Sequence, residues 1–368
     1  MSGPAKPLRV TLVGPSLDIL GGQAIQAQRL LERLNLSPLL SVSFIAVNPR
    51  LPGPFRLLQR VKYLRTIATS ISYWFTLLRR IPQTDVIHAF SASYWSFLLA
   101  PAPAILVGRL FGKKVVLNYR SGEAQDHLER WRLITVPLMR LAQAIAVPSG
   151  YLVEVFNKFG LAATAIPNFV DTEAIHYRRR EVIEPRILSN RNFEGLYNVA
   201  MTLRAFKLIQ LKFPEATLTV VGNGSQAARL KALAHELELR NIEFVGAVPP
   251  QAMPRYYHES DIYLNSPDID NMPTSIIEAF AAGLPVVTTD AGGIPWIVRT
   301  EENGLLVKCG NDEAMALAAI RLLDEAGLAA RLTQQARAEV LQRYTWQAVE
   351  RQWLELYQSL AASGKPPE

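Results

Sequence analysis

Hydrophobic positions along the chain fall into short apolar runs, each followed by a small-residue turn and then a stretch in which apolar positions recur every three to four residues. The first run, 8–13, ends at Gly14-Pro15, and a helix is expected from Gln23 to about Leu34, after the pair Gly21-Gly22. Further strands are predicted at 42–47, 86–89, 115–117 and 144–147. Helices are predicted at 94–110, interrupted by Pro101 and Pro103, and at 149–159, where Ser149 can cap and Gly160 can stop the helix. The span 171–186 has no clear period and carries Arg178-Arg179-Arg180, which reads as a linker. A second set then begins at Arg186: helix 195–212, strand 217–221, turn Gly222-Asn223-Gly224, helix 225–237, strand 242–245, short helix 250–258 and strand 262–265. It ends with strand 286–288, helices 311–323 and 328–342, and a long amphipathic helix at 345–360.

Strand and helix alternating in this way imply parallel sheets covered on both faces. The 368 residues exceed one ordinary core, so two doubly wound α/β domains are expected. We place an N-terminal domain at 1–170, the linker at 171–185 and a C-terminal domain at 186–344. Residues 345–368 form a helix expected to pack back on the N-terminal domain, plus a polar tail. Ligands of such sheets bind outside the carboxyl ends of the strands. The loops at 14–22, 118–125, 189–195, 222–225, 265–274 and 290–293 are therefore the ones that matter.

Composition narrows the class. Apolar residues make up 49% and charged residues 19%, which fits a folded protein. Apolar stretches are broken by charge or proline before about 18 residues, and the first residues lack a signal core, so a cytoplasmic location is expected. The single cysteine, Cys309, permits neither an internal disulfide nor a cysteine zinc site. His88, His127, His176, His235 and His258 do not pair with acids at metal-ligand spacing, so no metal is expected. The net charge of +7 conceals an asymmetry: residues 1–170 hold 19 Lys and Arg against 7 Asp and Glu, and 171–368 hold 20 against 25. A basic N-terminal half suits an anionic partner.

The stretch Asn271-Met272-Pro273-Thr274 to Gly283-Leu284-Pro285 carries the most chemistry. It reads as a loop, a helix starting at Thr274, an acid at Glu278 one turn in, and a stop at Gly283. A helix N-terminus offers N–H groups and a positive dipole end to phosphate, while Glu278 can accept from ribose hydroxyls. An ordinary capped helix feeding a sheet has the same pattern.

Taken in order, these segments resemble the family-4 glycosyltransferases, retaining enzymes of the GT-B fold that use nucleotide-sugar donors. The matching pieces are Ala146-Val147-Pro148-Ser149, Ile166-Pro167-Asn168-Phe169-Val170-Asp171, Val220-Val221-Gly222-Asn223-Gly224 and Phe244-Val245-Gly246. They continue with the run from Asn271 to Val287, Ala291-Gly292-Gly293-Ile294-Pro295 and Asn303-Gly304-Leu305-Leu306-Val307. The Gly21-Gly22 pair is similar to the family's glycine pair.

The resemblance implies two Rossmann-like domains facing a central cleft, and a UDP- or GDP-sugar donor. It also implies catalysis without a cofactor, the donor phosphate itself taking the acceptor proton. The family's two acids, with seven residues between them, fall on Asp270 and Glu278, with Asp268 an alternative to Asp270. Glu278 would hold the donor ribose and Asp270 would help place the sugar. The amides of Met272 and Thr274 would face sugar or phosphate, whereas Pro273 has no N–H to give. Arg191 fits the family's diphosphate-binding arginine, and Gly21, Gly22, Gly222, Asn223 and Gly224 are candidate donor contacts.

Two positions depart from the family. Its diphosphate lysine falls on Leu196 or Tyr197, and a histidine after the strand at 115–117 is replaced near Arg120. Arginine stays protonated and so can hold phosphate but not act as a base. Arg120 is therefore the candidate replacement cation.

The span 55–81 interleaves Arg56, Arg60, Lys62, Arg65, Arg79 and Arg80 with Tyr63, Ile67, Ile71, Tyr73, Trp74, Phe75 and Leu77. That suits an amphipathic helix on anionic lipid, and with it a saccharide, lipid-linked or glycolipid acceptor at the cytoplasmic membrane face. Packing within the domain is the alternative. No nucleic-acid motif accompanies the basic half, so nucleic acid is not an expected partner. The alternatives for function are a catalytically silent nucleotide-sugar or membrane-binding partner and a GT-B-like sugar-nucleotide epimerase.

Overall fold

The computed structural model describes residues 6–16, 18, 21–51, 53 and 61–363. These divide into two compact units, one of 1–166 with 350–368, the other of 167–349.

The first unit holds β1 (Leu8–Gly14), α1 (Gly22–Leu34), β2 (Leu40–Ala46), α2 (Lys62–Arg80), β3 (Val86–Ser91), α3 (Tyr94–Leu99) and α4 (Pro101–Leu110). It continues with β4 (Lys114–Tyr119), α5 (Ala124–Arg130), α6 (Arg132–Met139), β5 (Ala144–Val147), α7 (Gly150–Asn157) and β6 (Thr164–Ala165). Its six strands are parallel, in the order β2-β1-β3-β4-β5-β6. The helix expected across 94–110 is two helices, because Pro101 and Pro103 can each open a helix but cannot continue one. Ser149 caps α7 by accepting from the Leu152 amide, and Gly160 follows with φ +66.

The second unit holds β7 (Arg186–Asn190), α8 (Val199–Lys212), β8 (Thr217–Val221), α9 (Ala227–Glu236), β9 (Ile242–Gly246) and α10 (Met253–Glu259). Then come β10 (Ile262–Asn265), α11 (Thr274–Ala282), β11 (Val286–Thr289), β12 (Leu305–Val307), α12 (Asp312–Asp324) and α13 (Leu328–Arg343). The parallel sheet runs β12-β11-β10-β7-β8-β9. Chain order therefore reverses between β7 and β10, and in the first unit between β1 and β3. Those reversals are where doubly wound sheets open a crevice at the strand carboxyl ends.

One helix boundary differs from expectation by a full turn. The helix predicted from 195 begins at Val199, because Asn198 takes a left-handed conformation (φ +41) and its side chain caps the Met201 amide. The segment expected to be a linker lies within the second unit. Arg180 is fully buried there and donates to the carbonyl oxygens of Tyr257, Ser260 and Ala282, while Arg178 pairs with the buried Asp261. Buried guanidinium groups need such a set of acceptors, which no period in sequence could announce.

The last helix, α14 (Trp346–Ala362), lies mostly in the first unit. His88 on β3 receives it: Nδ1 lies 2.7 Å from the Tyr357 hydroxyl, and Phe90 and Trp353 pack against the imidazole. Burial pushes the His88 pKa down to about 3, with Arg120 adding to the effect. His88 is 0% exposed, so it serves the packing of α14 rather than the surface.

Candidate functional site

The switch between β7 and β10 sets two loops side by side, 191–198 after β7 and 266–273 after β10. Arg191 leaves the end of β7 and forms an ion pair with Asp270, their side chains 11% and 14% exposed. Its Nη1 donates to Ser275 Oγ at 3.3 Å, on the first turn of α11. Burial opposes the charge of Arg191, but the Asp270 carboxylate and the surrounding Tyr197, Tyr263 and Tyr257 outweigh it and raise its pKa. The buried Nε finds no hydrogen-bond partner among the described residues.

The structure also fills the position of the missing lysine. Tyr197 lies against Arg191, guanidinium carbon to ring centroid 4.1 Å. The Leu196 carbonyl accepts from the amides of Asp268 (2.9 Å) and Ile269 (3.3 Å). An aromatic ring fixes the plane of a guanidinium and stabilises its charge without adding a second one. Asp268, the alternative acid, is exposed and bound by Asn198 Nδ2 at 3.1 Å, whereas Asp270 is the one placed on Arg191.

The helix entry is built without a side-chain cap. Pro273 occupies the N-cap of α11 and makes no capping hydrogen bond. Behind it, Asn168 Nδ2 donates to the Met272 carbonyl at 2.8 Å, and Met272 is buried. A Cβ on Gly293 would come within 2.3 Å of the Asn271 carbonyl oxygen, so glycine there lets the two loops touch. Gly283 ends α11 with φ +75, as expected from sequence. Thr274 and Glu278 are half-buried on this helix. Arg191 thus joins Asp270 to the first turn of α11, so that its guanidinium and the positive end of the helix dipole lie together, an arrangement able to hold an anion.

Gly222, Asn223 and Gly224 serve this loop from below. A Cβ on Gly222 would sit 2.1 Å from the Arg191 carbonyl oxygen, and one on Gly224 2.6 Å from that of Phe193. Two backbone bonds complete the fit, Phe193 N to Asn223 O (2.9 Å) and Gln226 N to Phe193 O (2.8 Å). The glycine turn therefore has a steric role: it carries the residues that place Arg191.

Glu278 accepts from the Tyr257 hydroxyl at 2.8 Å, and Tyr257 in turn accepts from Asn190 Nδ2 at 2.7 Å. Sequence reasoning missed both partners, since a tyrosine in a short helix looks like any other core tyrosine. Burial first, then the Glu278 charge, holds the Tyr257 hydroxyl well above its ordinary pKa.

Arg120, Gly21 and Gly22 belong to the first unit. A Cβ on either glycine meets nothing within 4 Å, and Gly21 has an extended backbone (φ −172) open to any residue, so the described fold makes no demand for glycine there. Arg120 follows β4 and lies over the Phe90 ring, with Nη1 3.4 Å from Asn118 Oδ1. Burial pulls its pKa down to about 10, so it stays cationic at neutral pH. Asn118 Nδ2 is 2.9 Å from His88 Nε2, which links Arg120 through Asn118 and His88 to Tyr357. Among the described residues no group of three His, Cys, Asp or Glu side chains is placed to hold a metal ion.

Comparison with known proteins places the fold in a family. The model of glycosyltransferase family 4 matches residues 21–174, and that of glycosyl transferases group 1 matches 176–339. A phosphatidyl-myo-inositol mannosyltransferase of Mycobacterium leprae is 27% identical over 292 residues, 76% of this chain and 75% of the relative. The amylovoran biosynthesis glycosyltransferase AmsK of Erwinia amylovora is 25% identical over 237 residues, and the match spans 62% of this chain and 56% of the relative. Among solved structures, sucrose-phosphate synthase from Thermosynechococcus elongatus superposes with a TM-score of 0.79 at 18% identity, covering 97% of this chain and 100% of that one. Anabaena HepE, solved with UDP and glucose, gives 0.74 at 16% identity, covering 96% and 100%. With two six-stranded parallel sheets of GT-B type and the two family models meeting end to end, the chain belongs to the family-4 glycosyltransferases.

Proposed function

We propose that the protein moves a sugar, with retention of anomeric configuration, from a nucleoside diphosphate sugar to a saccharide or lipid-linked acceptor at an anionic membrane face. The observation that carries this reading is the convergence of Arg191, the α11 N-terminus and Glu278 at the β7/β10 switch. There the guanidinium and helix dipole neutralise the departing diphosphate, the amides of Met272 and Thr274 face it, and Glu278 takes the ribose hydroxyls. Asp270, held by Arg191, faces the transferred sugar. Gly21, Gly22 and Arg120 are the first unit's own candidates for contact with an anionic substrate. The donor phosphate takes the acceptor proton, so the reaction draws on charge-stabilising groups rather than on a resident cofactor. A nucleotide sugar as donor is in keeping with HepE, which was solved with UDP and glucose, and a lipid acceptor with the mannosyltransferase relative.

The membrane part rests on α2. Leu64, Ile67, Ile71, Phe75 and Leu78 are exposed at helical spacing on one face, while Tyr73 and Leu77 on the opposite face are fully buried. Arg65 and Arg79 flank the exposed stripe. That is the composition of a helix lying in a lipid interface. The part of the basic span at 55–60 lies outside the described residues. No described helix is long and apolar enough to cross a membrane.

A second reading, a nucleotide-sugar binder without turnover, draws on Tyr197 standing where a second cation is expected. Nucleotide release from UDP-, GDP- and ADP-sugars, with and without membrane extract, separates the two. Release that needs both a sugar donor and the extract, and that falls in Glu278→Ala, supports transfer; tight binding with no release supports the binder.

A further inference from the structure

We propose that Tyr257 is a positioning residue that sets the carboxylate of Glu278 for the ribose of the donor nucleotide. The proposal rests on the donor reading above. Tyr257 sits on α10, fully buried, and its hydroxyl bridges the end of β7 to α11. Both of its partners belong to the donor site: Asn190 immediately precedes Arg191, and Glu278 is the acid of α11.

The polarity of the bridge is forced. An ionised carboxylate only accepts, so the single phenolic proton goes to Glu278 Oε2. The oxygen of Tyr257 must then accept, which turns the amide nitrogen of Asn190 toward it. That orientation leaves Asn190 Oδ1 buried with no hydrogen-bond partner among the described residues. Turning the amide over would bring two acceptors together at Tyr257 or else take its proton from Glu278. The fold thus keeps an unsatisfied carbonyl at Asn190 and holds the proton on Glu278. One carboxylate oxygen engaged by a rigid, buried phenol fixes the plane of the group and leaves lone pairs to meet the ribose hydroxyls. Removing the phenol that holds this long, flexible acid would loosen the carboxylate and weaken ribose recognition without touching phosphate recognition.

Calorimetric titration of the full-length protein with UDP and GDP, and with their 2′,3′-dideoxy counterparts, tests this alongside thermal melts. Loss of the charged hydrogen bonds in Glu278→Ala should weaken the better-binding ribonucleotide by about tenfold or more. Tyr257→Phe should weaken it by roughly three- to tenfold, leave the dideoxy nucleotide unchanged, and add nothing in the Glu278→Ala background. Asn190→Ala, which keeps the phenol, should shift ribonucleotide affinity in the same direction by a smaller factor and serves if the phenylalanine variant does not fold. Equal losses for ribo- and dideoxynucleotides, or independent, multiplying losses in the double variant, would overturn the role of Tyr257 while leaving the donor site standing. Unchanged binding in Glu278→Ala would instead sink the donor reading, and the role of Tyr257 with it.

Discussion

In the first unit, apolar side chains reach solvent along whole helices: Ile67, Ile71 and Phe75 on α2, Trp95 on α3, Leu106 and Leu110 on α4, Leu133 and Ile134 on α6. In the second unit the exposed large apolar residues are scattered, among them Leu211, Trp296, Leu317 and Leu341. Buried ionic ties are concentrated there instead, with Asp261 meeting Arg178, Arg180 and Arg186, and Glu339 meeting Arg299 and Arg343. The same β/α alternation has been used twice for different ends. A rigid, charge-rich interior suits a site that must hold a diphosphate in one geometry. A basic surface with contiguous apolar stripes suits a partner that is itself apolar and anionic.

Removing Arg191 is the strongest way to break this comparison. Arg191→Ala should lower kcat/KM by about 10²–10³. It strips the guanidinium from the leaving group and leaves Asp270 without its partner. Steady-state kinetics checks this, and vesicle binding through the first unit should be unaffected. A rate within a few-fold of the wild type would place the leaving group elsewhere.

Acid should divide the units next. His88 and His127 are both fully buried in the first unit, and burial depresses them to about 3 and about 4. His127 is held neutral among Tyr119 and Thr135, at 2.9 and 3.3 Å. Their unfolded pKa is higher, about 6.5, so the unfolded chain binds more protons between the two values. Their contribution is therefore intact above about pH 6.5 and is lost progressively as pH falls toward the folded values. At pH 5 the loss is about 2 kcal/mol for each. Hydrogen exchange followed by peptide should show amides of β3, β4 and α5 losing protection between pH 7 and 5, and His127→Asn should flatten that slope. An unchanged exchange pattern would contradict the neutral-histidine account.

Two glycine substitutions sharpen the contrast further. Gly224→Ala drives a Cβ into the Phe193 carbonyl and should cost about 1–3 kcal/mol in a denaturant titration. Gly21→Ala meets open space and should stay within about 0.5 kcal/mol of the parent while reducing turnover. Equal stability losses would mean that Gly21 is held by the fold after all. The smallest expected effect is at α2, where Arg79→Ala removes about 1 kcal/mol of attraction to anionic vesicles in a flotation assay. Insensitivity to both Arg79→Ala and Ile71→Glu would return the stripe to ordinary surface.

Much of the molecule was legible beforehand. Apolar runs marked most of the strands, β6 and β12 excepted, and helical periods marked most helices, since a strand buried on both faces leaves a continuous apolar run in the sequence. Ser149, Gly160 and Gly283 announced their helix ends because capping and left-handed backbone need particular residues. At the site, the placing of Asp270 rather than Asp268 on Arg191 was not legible. Two acids two residues apart differ only in which way the loop turns, and that turn is held by contacts from a distant loop, the Gly293 amide donating to the Asp270 carbonyl at 3.2 Å.

By itself the sequence determined the two β/α sets, the charge asymmetry between the halves and the residue types gathered around Thr274 and Glu278, because local period, propensity and charge are properties of neighbours in the chain. Tertiary structure alone decided that Tyr197 would lie on Arg191, that Arg180 would find the carbonyl groups of Tyr257, Ser260 and Ala282 in the interior, and that His88 would be sealed beneath Tyr357. Arg180 and His88 meet groups far away in sequence, and Tyr197 meets Arg191 only because the loop between them turns back; in each case a hydrogen bond or a ring contact is won or lost over a few ångströms by geometry that no linear pattern encodes.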